Sequence, residues 1–242
     1  MKPGQSQTVR GYFGAIAGRY DLTNTLLSFG LHYLWKRRTI KAAGIAPGCR
    51  VLDLCGGTAD LALAAARAGA QSVTVCDFSP EMMAVGKKKA FGVDGISFVC
   101  GDAQRIACAG ASFDVVLIGF GLRNLTDREQ GLQEILRVLK PGGRLVCLEF
   151  STPVFPWFRR LYDFYSRYII PTAGLLIAGS REAYEYLPDS IKKFPLPEEL
   201  VLMMRAAGFS DVTYARLTNG IAAIHTGRKA RQAQSTGAET PA

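Results

Sequence analysis

The stretch that most constrains this chain is Val51-Leu52-Asp53-Leu54-Cys55-Gly56-Gly57-Thr58-Ala59-Asp60, an apolar run that meets a double glycine and continues into an Ala/Leu-rich segment. The β-branched and leucine content of Arg50 to Leu54 predicts a buried strand, and the strong helix formers from Leu61 to Ala68 predict a helix. Gly56 and Gly57 stand at the switch between them, where two residues without Cβ let the backbone take positive φ and let a ligand approach the main chain. The first N–H groups of the following helix have no intrahelical partner and are free to meet such a ligand. A second apolar run, Val73 to Cys76, ends in Asp77 about twenty residues past the turn, where a doubly wound α/β domain places the acid that binds ribose hydroxyls. A lone Gly-Gly would also fit an ordinary tight turn with acidic caps; Asp77 weighs against that reading.

A dinucleotide seat needs G-x-G-x-x-G to bring a pyrophosphate onto the helix end, and this turn lacks that spacing. It is flanked instead by Asp53 and Asp60, carboxylates that repel a phosphate and suit a cation. S-adenosylmethionine has a sulfonium, an ammonium and a ribose but no phosphate, so the expected cofactor seat comprises Asp53, Gly56, Gly57 and Thr58 with Asp77 and Phe78.

The same pattern of strand and helix repeats downstream. Ser79-Pro80 starts a helix, with Ser79 as cap and Pro80 at the first position. A strand from Ile96 to Cys100 closes in Gly101-Asp102-Ala103, and another from Phe113 to Ile118 runs into Gly119 and Gly121-Leu122-Arg123-Asn124. A helix from Arg128 to Leu139 is expected to stop at Lys140-Pro141-Gly142-Gly143, before a strand from Arg144 to Phe150. This alternation predicts a mostly parallel sheet with helices on both faces and ligands beyond the carboxyl ends of its strands, where Asp53, Asp77, Asp102 and Gly119 all fall.

Residues 11–228 read as one domain between a flexible stretch at 1–10 and a small, polar, disordered tail at 229–242. Within it, 11–45 is too apolar for a tail and is expected to form a helical lid over the cofactor seat. The aromatic insertion at 151–197 fits either a buried helical hairpin or a greasy substrate channel or interfacial surface, and its uncharged part is too short to span a bilayer. Val212 to Leu217 and Ile221 to Thr226 pair as a closing hairpin.

A net charge of +9 raises nucleic acid or an anionic membrane as partners. Part of it lies in Lys36-Arg37-Arg38 and in Lys87-Lys88-Lys89, the latter read as a solvated helix face. The six cysteines show no C-x-x-C pair and look like reduced core residues, and with two histidines no metal site is expected. The opening residues lack the apolar core of a signal peptide, so a cytoplasmic location is expected, with membrane attachment from its inner face.

Two stretches then resemble the ubiquinone/menaquinone biosynthesis C-methyltransferases, S-adenosylmethionine enzymes with a Rossmann-like fold. Tyr20-Asp21-Leu22-Thr23-Asn24 through Ser28, His32 and Trp35 is similar to the family's N-terminal signature, apart from Thr23 where methionine is usual. Arg137-Val138-Leu139-Lys140-Pro141-Gly142-Gly143 through Glu149 and Ser151 matches throughout, and Gly121 to Asn124 agrees. The resemblance places cofactor contacts on Thr58, Asp77, Asp102 and Ala103, with Gly119 where serine is frequent and Ala59 where glycine is usual. It implies C-methylation of a polyprenyl quinol, demethylmenaquinol above all. Arg123 is then expected to stabilise a ring oxyanion, with Tyr20, Asp21 and His32 as candidate proton acceptors and His32 carrying the suitable intrinsic pKa. A nucleic-acid methyltransferase is the weaker alternative, since Gly-Phe-Gly-Leu-Arg-Asn replaces the Asn/Asp-Pro-Pro-aromatic turn after the fourth strand. A non-catalytic quinone-binding subunit is a third.

Overall fold

The computed structural model describes residues 5–231, with side chains from residue 8. Its core is a seven-stranded sheet: β1 (Arg50–Leu54), β2 (Ser72–Asp77), β3 (Ile96–Cys100), β4 (Phe113–Gly119), β5 (Leu139–Phe150), β6 (Phe209–Leu217) and β7 (Ala222–Lys229), in the order β3-β2-β1-β4-β5-β7-β6. β1 to β5 run parallel, and β7 pairs antiparallel with β5 and β6. The alternation of side chains along each strand serves two cores. Leu52, Leu54, Val116, Ile118, Leu145 and Cys147 pack on one face under α6 (Arg128–Val138) and α10 (Pro197–Ala206), whereas Val51, Val73, Val75, Val115, Leu117 and Val146 pack on the other under α3 (Leu31–Ala43) and α4 (Asp60–Arg67). Of the cysteines, Cys76 and Cys147 are buried core thiols, but Cys100 is exposed rather than a core residue.

Ser79 caps α5 (Pro80–Lys89) by accepting from the Met82 N–H at 3.3 Å, with Pro80 at the first helical turn as expected. Three expectations need correction. Helix α1 (Gln5–Ile16) starts inside the stretch read as flexible, so residues 5–10 are helical; Val9, Ile16 and Ala17 give this segment an apolar face that docks on the body. Lys140-Pro141-Gly142-Gly143 does not separate helix from strand: α6 ends at Val138 and β5 begins at Leu139 opposite Phe113. The four residues instead form an irregularity before pairing resumes at Arg144 opposite Val115, because Pro141 cannot donate and Gly142 takes φ +79°. Lys229 closes β7 and donates from Nζ to the Leu139 carbonyl at 2.8 Å, so the expected tail does not begin there; its remainder from 232 lies outside the described residues.

The insertion folds back on itself as the hairpin reading expects, with Gly174 against Tyr184, but its outer face is exposed rather than buried. It runs as α7 (Pro156–Phe164), a π-helical turn (Tyr165–Ile169) and α8 (Ile170–Ala178) in continuity, followed by α9 (Arg181–Lys192). Pro171 explains the π turn, since it lacks an N–H and its ring displaces the carbonyl four residues back. With α1, α2 (Tyr20–Leu27) and α3 these helices cover the carboxyl edge of the sheet. No helix among the described residues is long and apolar enough to cross a membrane.

Candidate active site

The strand order reverses direction between β1 and β4, which opens a crevice at their carboxyl ends. A cavity of about 250 Å³ lies there, lined by Asp53, Gly56, Gly57, Thr58, Asp77, Phe78, Asp102, Ala103 and Gly119, so all nine expected cofactor residues come together. Gly56 has no room for a side chain: a Cβ would lie 2.8 Å from Val75 Cγ1 and 2.9 Å from the Asp53 carboxyl carbon. Gly57 takes φ +50° and donates its N–H to Asp77 Oδ2 at 2.8 Å, and Asp77 Oδ1 accepts from the Ser79 N–H at 2.8 Å. Burial raises the Asp77 carboxyl above its ordinary pKa against those hydrogen bonds. Asp53 accepts from the Ala62 N–H at 2.9 Å, in the first turn of α4, and burial pushes its carboxyl up to about 7.

The departures at 59 and 119 acquire physical meaning here. Ala59 sits in the left-handed region at φ 65°, with Cys55 and Phe120 at 54° and 58°, so three residues with a Cβ hold strained backbone around this cavity. A Cβ at Gly119 would meet Leu61 Cδ1 at 2.7 Å, so a serine there would require the end of the Leu61 side chain to shift.

A second, largely apolar cavity of about 490 Å³ adjoins the first, and Phe13, Tyr20, Lys36 and Phe120 line both. His32 and Arg123 line only the second of the two. Arg123 is 5% exposed, and its partner is Glu149 on β5, not the acids Asp127 or Glu129 that follow it in sequence. Its Nη1 donates to Glu149 Oε1 at 2.9 Å and to the Phe120 carbonyl, its backbone N–H donates to Glu149 Oε2 at 3.1 Å, and its guanidinium stands 5.3 Å from the Phe150 ring centre. Its Nε is buried without a partner among the described residues.

His32 departs from its intrinsic chemistry. Burial, then the positive charge of Lys36, lowers its pKa to about 4, so it is a neutral imidazole at neutral pH. Nε2 lies 3.2 Å from Thr25 Oγ1, and Nδ1 is buried with no partner among the described residues. Asp21 lines neither cavity: its Oδ1 accepts from Thr58 Oγ1 at 2.7 Å and its Oδ2 from Lys89 Nζ at 2.7 Å. It is a fastening, not a free base.

Lys89 also reaches Asp60, and Lys36 donates to Asp60 Oδ2 at 2.6 Å. Asp60 is therefore neutralised by two lysines and does not offer the free charge expected of it; burial opposes its ionisation, but the lysines hold its carboxyl below the ordinary range. For the same reason Lys89 leaves the solvated face assigned to its run, and Lys36 is held by Asp60. Sequence reasoning placed Phe13 and Lys36 in the helices over the seat without singling them out as walls of the first cavity, and it missed Arg10 there and Tyr162 and Tyr186 as walls of the second. They come from helices separated from the Gly-Gly turn by long stretches of chain, and no local pattern marks them.

A carboxylate-lined seat at the switch point of a 3-2-1-4-5-7-6 sheet, entered by a glycine turn without the G-x-G-x-x-G spacing, defines an S-adenosylmethionine-dependent methyltransferase. The solved structures share this fold: a methyltransferase of this type from Thermotoga maritima superposes with a TM-score of 0.64 at 20% identity over 91% of this chain and 99% of its own. A phosphoethanolamine N-methyltransferase of Haemonchus contortus holding S-adenosylhomocysteine gives 0.61 at 16% identity, over 81% of this chain and 52% of its own. Within that class, the chain belongs to the ubiE/COQ5 methyltransferase family, whose model matches residues 1–229. The ubiquinone/menaquinone biosynthesis C-methyltransferase UbiE of Rubrivivax gelatinosus is 46% identical over 96% of this chain and 91% of its own length, and that of Haemophilus ducreyi is 44% identical over 94% and 90%.

Proposed function

We propose that the protein transfers a methyl group to a ring carbon of a polyprenyl quinol in quinone biosynthesis, with demethylmenaquinol as its substrate. The observation that carries this reading is the shared wall: a carboxylate-lined seat and an aromatic, apolar cavity meet at Phe13, Tyr20, Lys36 and Phe120. The seat suits S-adenosylmethionine, because its glycine surfaces admit close approach, Asp77 faces a ribose, and Asp53 becomes a counter-ion for a cation. When bound, that cofactor supplies an electrophilic methyl group on a sulfonium.

Ring carbon is a weak nucleophile until a neighbouring hydroxyl gives up its proton. Arg123, fixed by Glu149 and Phe150 with Nε unsatisfied, meets the resulting ring oxyanion as a preorganised cationic donor. Tyr20 reaches both cavities, and neutral His32 presents an unpartnered Nδ1, so these two are the residues placed to receive or relay the hydroxyl proton. The aromatic lining suits a fused bicyclic ring, which favours the naphthoquinol over the benzoquinol. A polyprenyl substrate resides in lipid, so the enzyme meets it at a membrane surface.

Purified protein, labelled S-adenosylmethionine and each reduced quinone precursor give the test. The expected product is a C-methylated naphthoquinol, identified by mass and ring position. Transfer only to the benzoquinol would correct the substrate, and no transfer to either would overturn the reading.

A further inference from the structure

The second cavity opens outward. Phe29, Leu161, Phe164 and Ile169 line it and are nevertheless 80%, 58%, 57% and 44% exposed, so its mouth lies on the outer face of α7, the π turn and α8. Beyond the mouth the apolar surface continues through Trp157, Tyr168 and Leu176, exposed by 68%, 55% and 77% and outside the cavity. Residues 157, 161, 164 and 168 recur at helical spacing and form one stripe. The end of α2 joins it: the Phe29 and Tyr165 rings lie 6.1 Å apart, and the Tyr165 hydroxyl donates to the Leu27 carbonyl at 2.8 Å. A continuous patch of this kind is more than the scattered apolar exposure of an ordinary surface.

Charge identifies what covers it. Arg159, Arg160 and Arg167 are exposed beside the stripe, and none makes an ion pair among the described residues; Asp163 is the one acid of α7. Arg167 lies over the Tyr168 ring at 5.9 Å. Tryptophan and tyrosine with polar tips, aliphatic side chains between them and arginines at the border match the headgroup boundary of an anionic bilayer. A second copy of the same face would set these arginines against each other, since a two-fold interface pairs a patch with itself.

We propose that this face docks on an anionic lipid bilayer, setting the cavity mouth at the boundary between headgroups and acyl chains so that a substrate's apolar tail passes from the cavity into lipid. The tail rests on the quinol reading above; the lipid contact rests on the surface itself.

Co-sedimentation with vesicles of phosphatidylethanolamine and phosphatidylglycerol tests it. Binding is expected at low ionic strength, to weaken with salt, and to fall about tenfold or more in Trp157→Glu/Leu176→Glu and in Arg159→Glu/Arg160→Glu. The first pair lies outside the cavity, so it should still methylate a demethylnaphthoquinol without a prenyl tail while losing activity on a prenylated one in vesicles. Failure of the wild-type protein to bind these vesicles overturns the proposal, as does a concentration-dependent dimer, seen in sedimentation velocity without lipid, that Trp157→Glu disperses. Vesicle binding without methyl transfer to any quinol would leave the surface standing and remove the quinol reading, whereas transfer to the tail-less quinol without vesicle binding would do the reverse.

Discussion

Asp53 and Asp77 end neighbouring strands at the same edge of the sheet, yet burial leaves them with different tasks. Asp77 is tied by the Gly57 and Ser79 N–H groups, whereas Asp53 has one such bond and a carboxyl at about 7. A bound cation favours its ionised form, so cofactor binding should release a proton at about pH 6 and almost none at about pH 8.5, and affinity should rise with pH through that window. Calorimetric titrations in buffers of different ionisation enthalpy measure this directly, and Asp53→Asn should abolish the release. No release at the lower pH in the wild type would reject the role given to Asp53. Arg123 carries the second residue-scale prediction. Because its guanidinium is fixed in the wall of the second cavity, Arg123→Ala should slow single-turnover methyl transfer by about a hundredfold or more with nearly constant S-adenosylmethionine affinity. Arg123→Lys should recover little, since a lysine keeps the charge but loses the planar fork that reaches Glu149 and Phe120 together. The competing role as a structural ion pair predicts lost thermal stability with a near-normal transfer rate, and melting curves on the same variants separate the two.

At the scale of elements, the helices around the first cavity are fastened by charge. Lys89 on α5 binds Asp21 on α2 and Asp60 on α4, Asp60 also binds Lys36 on α3, and Thr58 in the glycine turn donates to Asp21. Four helices and the cofactor turn thus meet in one part-buried network, which screening weakens less than it weakens exposed pairs. Lys89→Ala, outside both cavities, should loosen α2 by about 1 kcal/mol. Hydrogen exchange should then show faster opening of α2 amides while the amides of β1 and β4 keep their protection; equal protection in α2 would remove the fastening role. The strands, the helices after them and the Pro80 start were legible because each rests on a few adjacent residues. The lysine run was not, because a Lys at the end of a helix looks solvated until the acids that fold against it are known.

At the scale of the molecule, acid should destabilise this protein before its carboxylates are neutralised. His32 and His225 are both buried, and burial lowers each to about 4. A group whose folded pKa is lowered binds more protons in the unfolded chain, so its stability is complete above about pH 6.5 and is lost as pH falls toward 4. That amounts to roughly 2 kcal/mol per histidine between about pH 7 and 5. Asp53 acts in the opposite sense, because its raised carboxyl holds a proton in the folded state, and it offsets about one histidine. The wild type should therefore lose on the order of 1 to 2 kcal/mol over that interval, and His225→Gln should make the curve nearly flat. Denaturant midpoints at the two pH values check this, and an undiminished slope in the variant would refute it.

What the sequence determined by itself was whatever depends on neighbours along the chain. The Gly-Gly turn between strand and helix, the acids at strand ends and the alternation of elements dictated a doubly wound sheet and put the residues expected to hold the cofactor at one edge, because parallel strands joined by helices share a carboxyl end. Only the tertiary structure decided what those groups are free to do. Asp21 and Asp60 were consumed by lysines from other helices, His32 was made neutral by burial, Arg123 found Glu149 on the neighbouring strand, and the insertion turned its aromatic stripe outward. Each of these depends on which distant side chains share a low-dielectric space, and desolvation and charge pairing there act between residues that no local pattern relates.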